Sequence, residues 1–194
     1  MTKISPVVQR QHYQNARWPT MNPIQSPPAP TLNMTTHSLA KTSQVSATAG
    51  QYLTLRLGTE EYAIDILRVQ EIRSYEEPTR MANAPAFVKG VINLRGAIVP
   101  IVDLRMKLDV AHIEYNEFTV VIMLNVHDRV IGAVVDGVSD VVSLTAQAIK
   151  PAPQFDSRID ARFITGIADV DGRMLIVMNV AALLSPAEMG MASD

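Results

Sequence analysis

GVINLRGAIVPIVDL, residues 90–104, consists of two apolar runs joined by a short polar link. Val and Ile dominate both runs, and Asn93, Arg95 and Gly96 lie between them. Such a pattern predicts a β-hairpin. Gly96 supplies the positive φ that a tight link needs, and Arg95 then stands at the exposed tip. Pro100 interrupts the second run and has no N–H to donate, so that strand is expected to leave one side unpaired there, as at an edge or a bulge.

The same hairpin is written a second time further along. FVKGVINLRGAIVPIVDL starts at Phe87, and FITGIADVDGRMLIVMNV starts at Phe163, an offset of 76 without a gap. Phe87 matches Phe163, Gly90 matches Gly166, and Gly96 matches Gly172. The segment before it repeats as well, with an offset of 69. Leu53, Leu55, Leu57, Val69 and Ile72 lie opposite Ile122, Leu124, Val126, Val138 and Val141. One β unit of about five short strands is therefore present twice. A unit of that size can close into a small barrel and hide its edges. Two such units packed together would share a core and leave a groove between them. The copies differ at the hairpin tip, where Asn93-Leu94-Arg95-Gly96 is replaced by Asp169-Val170-Asp171-Gly172. An acid makes the turn as well, so Arg95 is a candidate for a contact rather than for folding.

Working outward, Tyr52–Leu57 and Tyr62–Ile66 read as strands around a Gly58-Thr59-Glu60 turn. Val69 and Ile72 break the period of two, so a kink or a helical turn is expected near Leu67–Arg68. Ala84–Lys89 reads as one helical turn with Pro85 at its first position. Phe118–Val126 and Val130–Val135 are further strands, and Asn179 is placed to cap a short helix ending before Pro186. Residues 1–48 hold six of the twelve prolines and little apolar periodicity, which predicts a disordered N-terminal arm carrying the only tryptophan, Trp18. A solvated tail and a partner-binding segment are the two accounts of it, and Met34 offers an alternative start.

The chain has 194 residues, 47% of them hydrophobic, and a net charge of -2. It has material for a real core and lacks the basic excess of a nucleic-acid binder. It has no cysteine, which excludes disulfides and thiolate metal sites and suits a reducing compartment. No apolar run approaches the ~20 residues of a membrane span, and the N-terminus has no signal-peptide core, so a cytoplasmic protein is expected. Phosphate-loop and dinucleotide motifs are absent. Gly137-Val138-Ser139-Asp140-Val141 lacks the last glycine of a nucleophile elbow. Asp169-Val170-Asp171-Gly172 lacks the glutamate that a calcium loop needs. The four histidines have no ligand spacing. Asp136 and Asp140 are expected in turn or surface roles. Neither catalysis, metal binding nor a cofactor is expected; an enzyme on the same scaffold is the competing class.

EYAIDILRVQEIR, PAFVKGVINLRGAIVPIVDLR, VVDGVSDVVSL and KPAPQF closely resemble the CheW-type chemotaxis coupling proteins, over about Gln51 to Met189. The resemblance implies an all-β domain at 49–188: two SH3-like five-stranded barrels, at about 51–114 and 115–184, with a short C-terminal helix. It implies a non-catalytic adaptor between the cytoplasmic tip of transmembrane chemoreceptors and the CheA histidine kinase, which it engages through the kinase's own CheW-like regulatory domain. An adaptor of a related kinase array, for surface motility or a second messenger, is the alternative. Receptor contact then falls on Val69, Glu71 and Arg95, with Ile66 and Ile72 as an apolar floor. Kinase contact falls on Gly90, Gly132, Val141 and Phe155. Backbone packing is a competing account of Gly90, which recurs as Gly166, and plain core is a competing account of Val69. Neither nucleic acid nor direct membrane insertion is implied.

Overall fold

A computed structural model describes residues 48–152 and 160–190. The expected arm up to residue 47, Trp18 and Phe155 lie outside the described residues. Eleven strands follow in order: β1 Gly50–Leu57, β2 Glu60–Asp65, β3 Val69–Ser74, β4 Val88–Leu94, β5 Ala97–Asp103, β6 Val120–Val126, β7 Arg129–Val135, β8 Gly137–Leu144, β9 Ile149–Lys150, β10 Ile164–Val170 and β11 Arg173–Met178. Two helices of one turn, α1 Leu104–Lys107 and α2 Val180–Leu183, and two 3-10 turns, Ile66–Arg68 and Ala161–Phe163, complete the described elements.

The duplication is visible element by element. Shifting β4 and α1 by 76 residues gives β10 and α2, and shifting β2 by 69 gives the start of β7. The bulge at Val88/Gly90 recurs at Ile164/Gly166. Both hairpin tips carry two consecutive positive φ angles, 51° and 91° at Arg95-Gly96 and 53° and 79° at Asp171-Gly172. That is the type I′ geometry matched to strand twist. Asn93 Oδ1 accepts from Gly96 N–H at 2.8 Å, and Asp169 Oδ1 accepts from Gly172 N–H at 3.0 Å.

The sheets do not follow the boundary expected at residues 114/115. One sheet has the order β8-β1-β2-β11-β10-β9, the other β3-β6-β7-β5-β4. Each copy therefore lends its first hairpin to the other copy: β1–β2 joins β8–β11, and β6–β7 joins β3–β5. The joints are equivalent too. β2 runs parallel to β11 as β7 runs parallel to β5. The strand β9 against β10 answers the isolated Thr79–Val91 bridge against β4. The expectation of two contiguous five-stranded barrels becomes one sheet of six strands and one of five, mixed between copies. Among the described residues no ladder joins β3 to β4 or β8 to β9, so neither sheet is closed by backbone pairing.

The exchange has a physical basis in where apolar surface goes. One cluster, including Leu55, Tyr62 and Ile64 from one sheet and Ile122, Leu124 and Val135 from the other, is shared between them. Each sheet also encloses a cluster of its own, around Ala63 and Leu175 in the first and around Ile101 and Met123 in the second. A strand such as β6 is thus buried on both faces, which explains its nearly continuous apolar run. Pro100 sits where the prediction put it. It pairs with Val91 of β4, and the parallel pairing of β5 with β7 starts only at the next residue, Ile101.

Ala84–Lys89 forms a hydrogen-bonded turn, Val88 N–H to Pro85 O at 2.9 Å, rather than the helical turn expected there. The kink expected at Leu67–Arg68 is the first 3-10 turn, capped by Asp65. Asn179 caps α2 as expected, its side chain accepting from Ala182 N–H.

Candidate functional site

The exposed edge of the five-stranded sheet is β3, and the β4–β5 hairpin forms its other edge. Between the two edges, Arg95 Nη2 donates to Glu71 Oε2 at 2.7 Å. Arg95 is 82% exposed at its side chain and Glu71 26%. The other Glu71 oxygen, Oε1, is buried without a hydrogen-bond partner. A cavity of about 80 Å³ lies in the same gap, lined by residues of β3 and β4 including Ser74 and Asn93. Side chains, not a ladder, therefore span this opening.

This alters the reading of the missing arginine at Asp171. The turn does not need Arg95, but the sheet edges do use it. In the second copy, Arg173 Nη2 lies 3.3 Å from Asp140 Oδ2. Asp140 is the counterpart of Glu71, and Arg173 is two positions beyond the counterpart of Arg95. The cation has moved along the hairpin while the bridge is kept. Asp140 also accepts from buried Thr54 Oγ1 at 2.8 Å. A search for ion pairs between repeats, rather than for identical residues at one position, would have found this.

The five receptor-side candidates are brought together only in part. Glu71 and Arg95 touch. Ile66 and Val69 are half-buried and pack against the shared core. Ile72 is 41% exposed and next to half-buried Glu71, so the two point to opposite faces of β3. The kinase-side candidates divide between sheets. Gly90 and Gly132 are both buried and flank Ile101, which is paired with each of them. A Cβ on Gly90 would lie 2.1 Å from Thr79 O, and one on Gly132 would lie 2.4 Å from Ile101 Cδ1. Their hydrogens are therefore matched to close packing inside the sheet. Val141, on β8, is 48% exposed and is the counterpart of Ile72.

Sequence reasoning missed a buried polar centre. Arg105 on α1 is fully buried. It donates through Nε to Asp103 Oδ1 at 3.0 Å and through Nη2 to Asp103 Oδ2 at 2.7 Å. Its Nη1 reaches Asp136 Oδ1 and Glu114 O, each at 2.8 Å. Tyr115 lays its ring 4.6 Å from the guanidinium and donates its hydroxyl to Asp103 Oδ2 at 2.7 Å. Burial pushes the Asp103 carboxyl up, but the bonds from Arg105 and Tyr115 outweigh it and hold it below the usual value. Burial and the bond to Asp103 push the Tyr115 phenol up to about 12. The duplication gives a partial signal, since capping Asn179 maps onto Asp103 and so predicts α1. Nothing in the repeat marks Arg105, whose counterpart is Ala181.

Among the described residues no group of three or more His, Asp or Glu is placed to hold a metal ion, and no helix is long and apolar enough to cross a membrane.

The comparisons with known proteins bear on which family this fold belongs to. The CheW-like domain matches residues 51–188. The chain belongs to the CheW family. It is 52% identical over 158 residues to chemotaxis protein CheW of Klebsiella aerogenes, covering 80% of this chain and 95% of that one. It is 36% identical over 138 residues to a probable chemotaxis protein CheW of Rhizobium etli, covering 71% and 89%. Among solved structures, the CheW scaffolding protein from Thermoanaerobacter tengcongensis superposes with a TM-score of 0.66 at 28% identity, over 73% of this chain and 91% of that one. These CheW relatives lack a counterpart for about a fifth or more of this chain's length.

Proposed function

We propose that this chain couples the cytoplasmic tips of chemoreceptors to the CheA histidine kinase. Membership of the CheW family makes it a non-catalytic scaffold of chemotaxis signalling. The observation that carries the finer reading is the Arg95–Glu71 bridge. It holds an exposed guanidinium at a sheet edge while using one of the five N–H donors that the group has. The remaining donors can meet an acid of a receptor helix as a fork. A receptor tip is a helical hairpin, so its docking would be helix-in-groove, with Ile66, Val69 and Ile72 as apolar contacts and the charge pair setting register.

The kinase side is placed on β8, with Val141, and on the segment that holds Phe155, a Pro-flanked aromatic of the kind common at interfaces. Gly90 and Gly132 serve this side through the backbone shape of the five-stranded sheet. The same reading takes each sheet as an SH3-like barrel whose last gap is spanned by side chains. It places the protein in the cytoplasm, at the inner face of the membrane through receptor arrays, where weak contacts gain from multivalency.

Reconstitution with receptor signalling fragments and CheA tests it. The chain should raise receptor-dependent autophosphorylation of the kinase. Arg95→Glu should lose receptor capture and Phe155→Ala should lose kinase capture. Unchanged capture by both variants would overturn the assignment of the two sides.

A further inference from the structure

The chain passes between its two sheets only twice among the described residues. The first crossing is the 3-10 turn Ile66–Arg68, between β2 and β3. The second is Asp136, between β7 and β8. They are counterparts under the duplication, with Leu67 in the place of Asp136.

Their surroundings differ. At the second crossing every bond reaches another element. Asp136 Oδ1 accepts from buried Arg105 at 2.8 Å, and its Oδ2 accepts from Gly58 N–H at 2.6 Å. Its own N–H donates to Arg56 O at 3.1 Å. Arg105 is in turn fixed by both oxygens of Asp103 and by the Glu114 carbonyl. One residue thus ties the β1–β2 turn, α1 and the segment after it to a single point. At the first crossing the hydrogen bonds of the turn are local: Leu67 N–H to Asp65 Oδ1 at 2.9 Å, and Val69 N–H to Ile66 O. Leu67 is 88% exposed, and Ile66 supplies the packing against the core.

We propose that the two crossings are mechanically unequal: Asp136, held by Arg105, is a fixed pivot, and Ile66–Arg68 is the hinge through which the two sheets change their relative orientation. A buried charge network with every partner satisfied resists displacement, because breaking one bond leaves a charged group unpaired in a low dielectric. A turn whose hydrogen bonds reach no further than the adjacent Asp65 can move without that cost. Arg105 acts here as a positioning residue, through Asp136. The asymmetry belongs to the chain alone and requires no partner.

Site-resolved hydrogen exchange on the full chain tests this. In the unaltered protein, amides of 56–58 and 136–138 should exchange about tenfold or more slowly than those of 66–69, because opening the second crossing also breaks the Asp136–Arg105 pair. Asp136→Asn should remove most of that difference by speeding exchange at 56–58 and 136–138, leaving 66–69 unchanged. Tyr115→Phe, which loosens Asp103 without touching Asp136, should give the same pattern at smaller amplitude. Equal protection of the two crossings in the unaltered protein would overturn the proposal. So would a uniform loss across both crossings in either folded variant. If Asp136→Asn does not fold, the unaltered protein and Tyr115→Phe still decide between these outcomes.

Discussion

Arg95 and Glu71 belong to different strands that no ladder joins, yet their side chains meet at 2.7 Å and bridge the two edges of the five-stranded sheet. Arg95 sits at φ 51°, in the left-handed region that Gly, Asn or Asp enters more readily. The second copy has Asp171 at this point. What Arg95 adds at this point of the turn is its side chain, which makes the bridge. The bridge has two possible uses, closing the sheet and presenting a guanidinium, and they separate experimentally.

Arg95→Glu places two acids across the gap. Since Arg95 is 82% exposed, the change should cost about 1 kcal/mol or less, read as a small shift of the urea midpoint. The exchanged pair Arg95→Glu with Glu71→Arg should recover that loss, because the attraction is restored. It should not recover receptor capture, because the cation has left the tip. Recovery of capture by the exchanged pair would show that the bridge, not the exposed arginine, is what the receptor needs.

Gly90→Ala should destabilise the fold by about 1–3 kcal/mol, the range for forcing extra volume into a packed site. Its Cβ would meet backbone, Thr79 O at 2.1 Å, and φ is 143°. The Thr79–Val91 bridge, with bonds of 3.0 and 2.9 Å, should open first. Gly96→Ala meets no atom within 4 Å and carries only the strain of its positive φ. Thermal melts of the two variants should therefore differ, with Gly90→Ala the lower. If Gly90→Ala melts like the unaltered chain and still fails to bind kinase, Gly90 is a contact and not a packing residue.

Much of the β pattern was legible because each copy of the repeat is short, apolar and punctuated by glycine. Gly96 and Gly172 marked the hairpins, Asn179 marked a cap, and the break between Ile66 and Val69 marked the first crossing. What stayed hidden was partnership. A strand such as β1 alternates or saturates in the same way whether it pairs within its own copy or with the other, so the exchange of hairpins left no trace in periodicity. Arg105 was hidden for a related reason. A single arginine after a strand reads as a solvated end, and only the fold brings Asp136 and Tyr115 to it. At the site, the residues themselves were legible and their burial was not. Backbone packing was a competing account of Gly90 from its recurrence as Gly166, but only the fold places Ile101 between Gly90 and Gly132.

The buried centre predicts a specific acid response. Asp103 titrates below its ordinary value in the folded chain, so it favours the fold when ionised. Its contribution is complete above the unfolded value of about 3.9 and is lost as pH falls through the lower folded value. Asp103→Asn leaves Arg105 with one acid partner, Asp136, and should cost about 3–5 kcal/mol near neutral pH. Urea midpoints of the two chains should differ by a constant amount from pH 7 to about 5 and converge below about 4. A difference that is independent of pH down to 2 would show that shape, not charge, is what Asp103 supplies.

Ile72 and Val141 occupy one position in the two copies, on edge strands β3 and β8, and both are open to solvent, at 41% and 48%. Edge strands carry unpaired backbone groups, and apolar residues exposed on them invite a partner. The proposed coupling needs two partners on one chain, and a duplicated edge supplies two places for them. Neither side chain is needed for the core, so Ile72→Arg and Val141→Arg should each leave stability within about 0.5 kcal/mol. Ile72→Arg should weaken capture by receptor fragments and spare the kinase regulatory domain. Val141→Arg should do the reverse. Each would be measured with both partners at one salt concentration, so that the added charge is screened alike. If either variant weakens both interactions equally, the two edges do not divide the partners between them, and the repeat serves only to build the core.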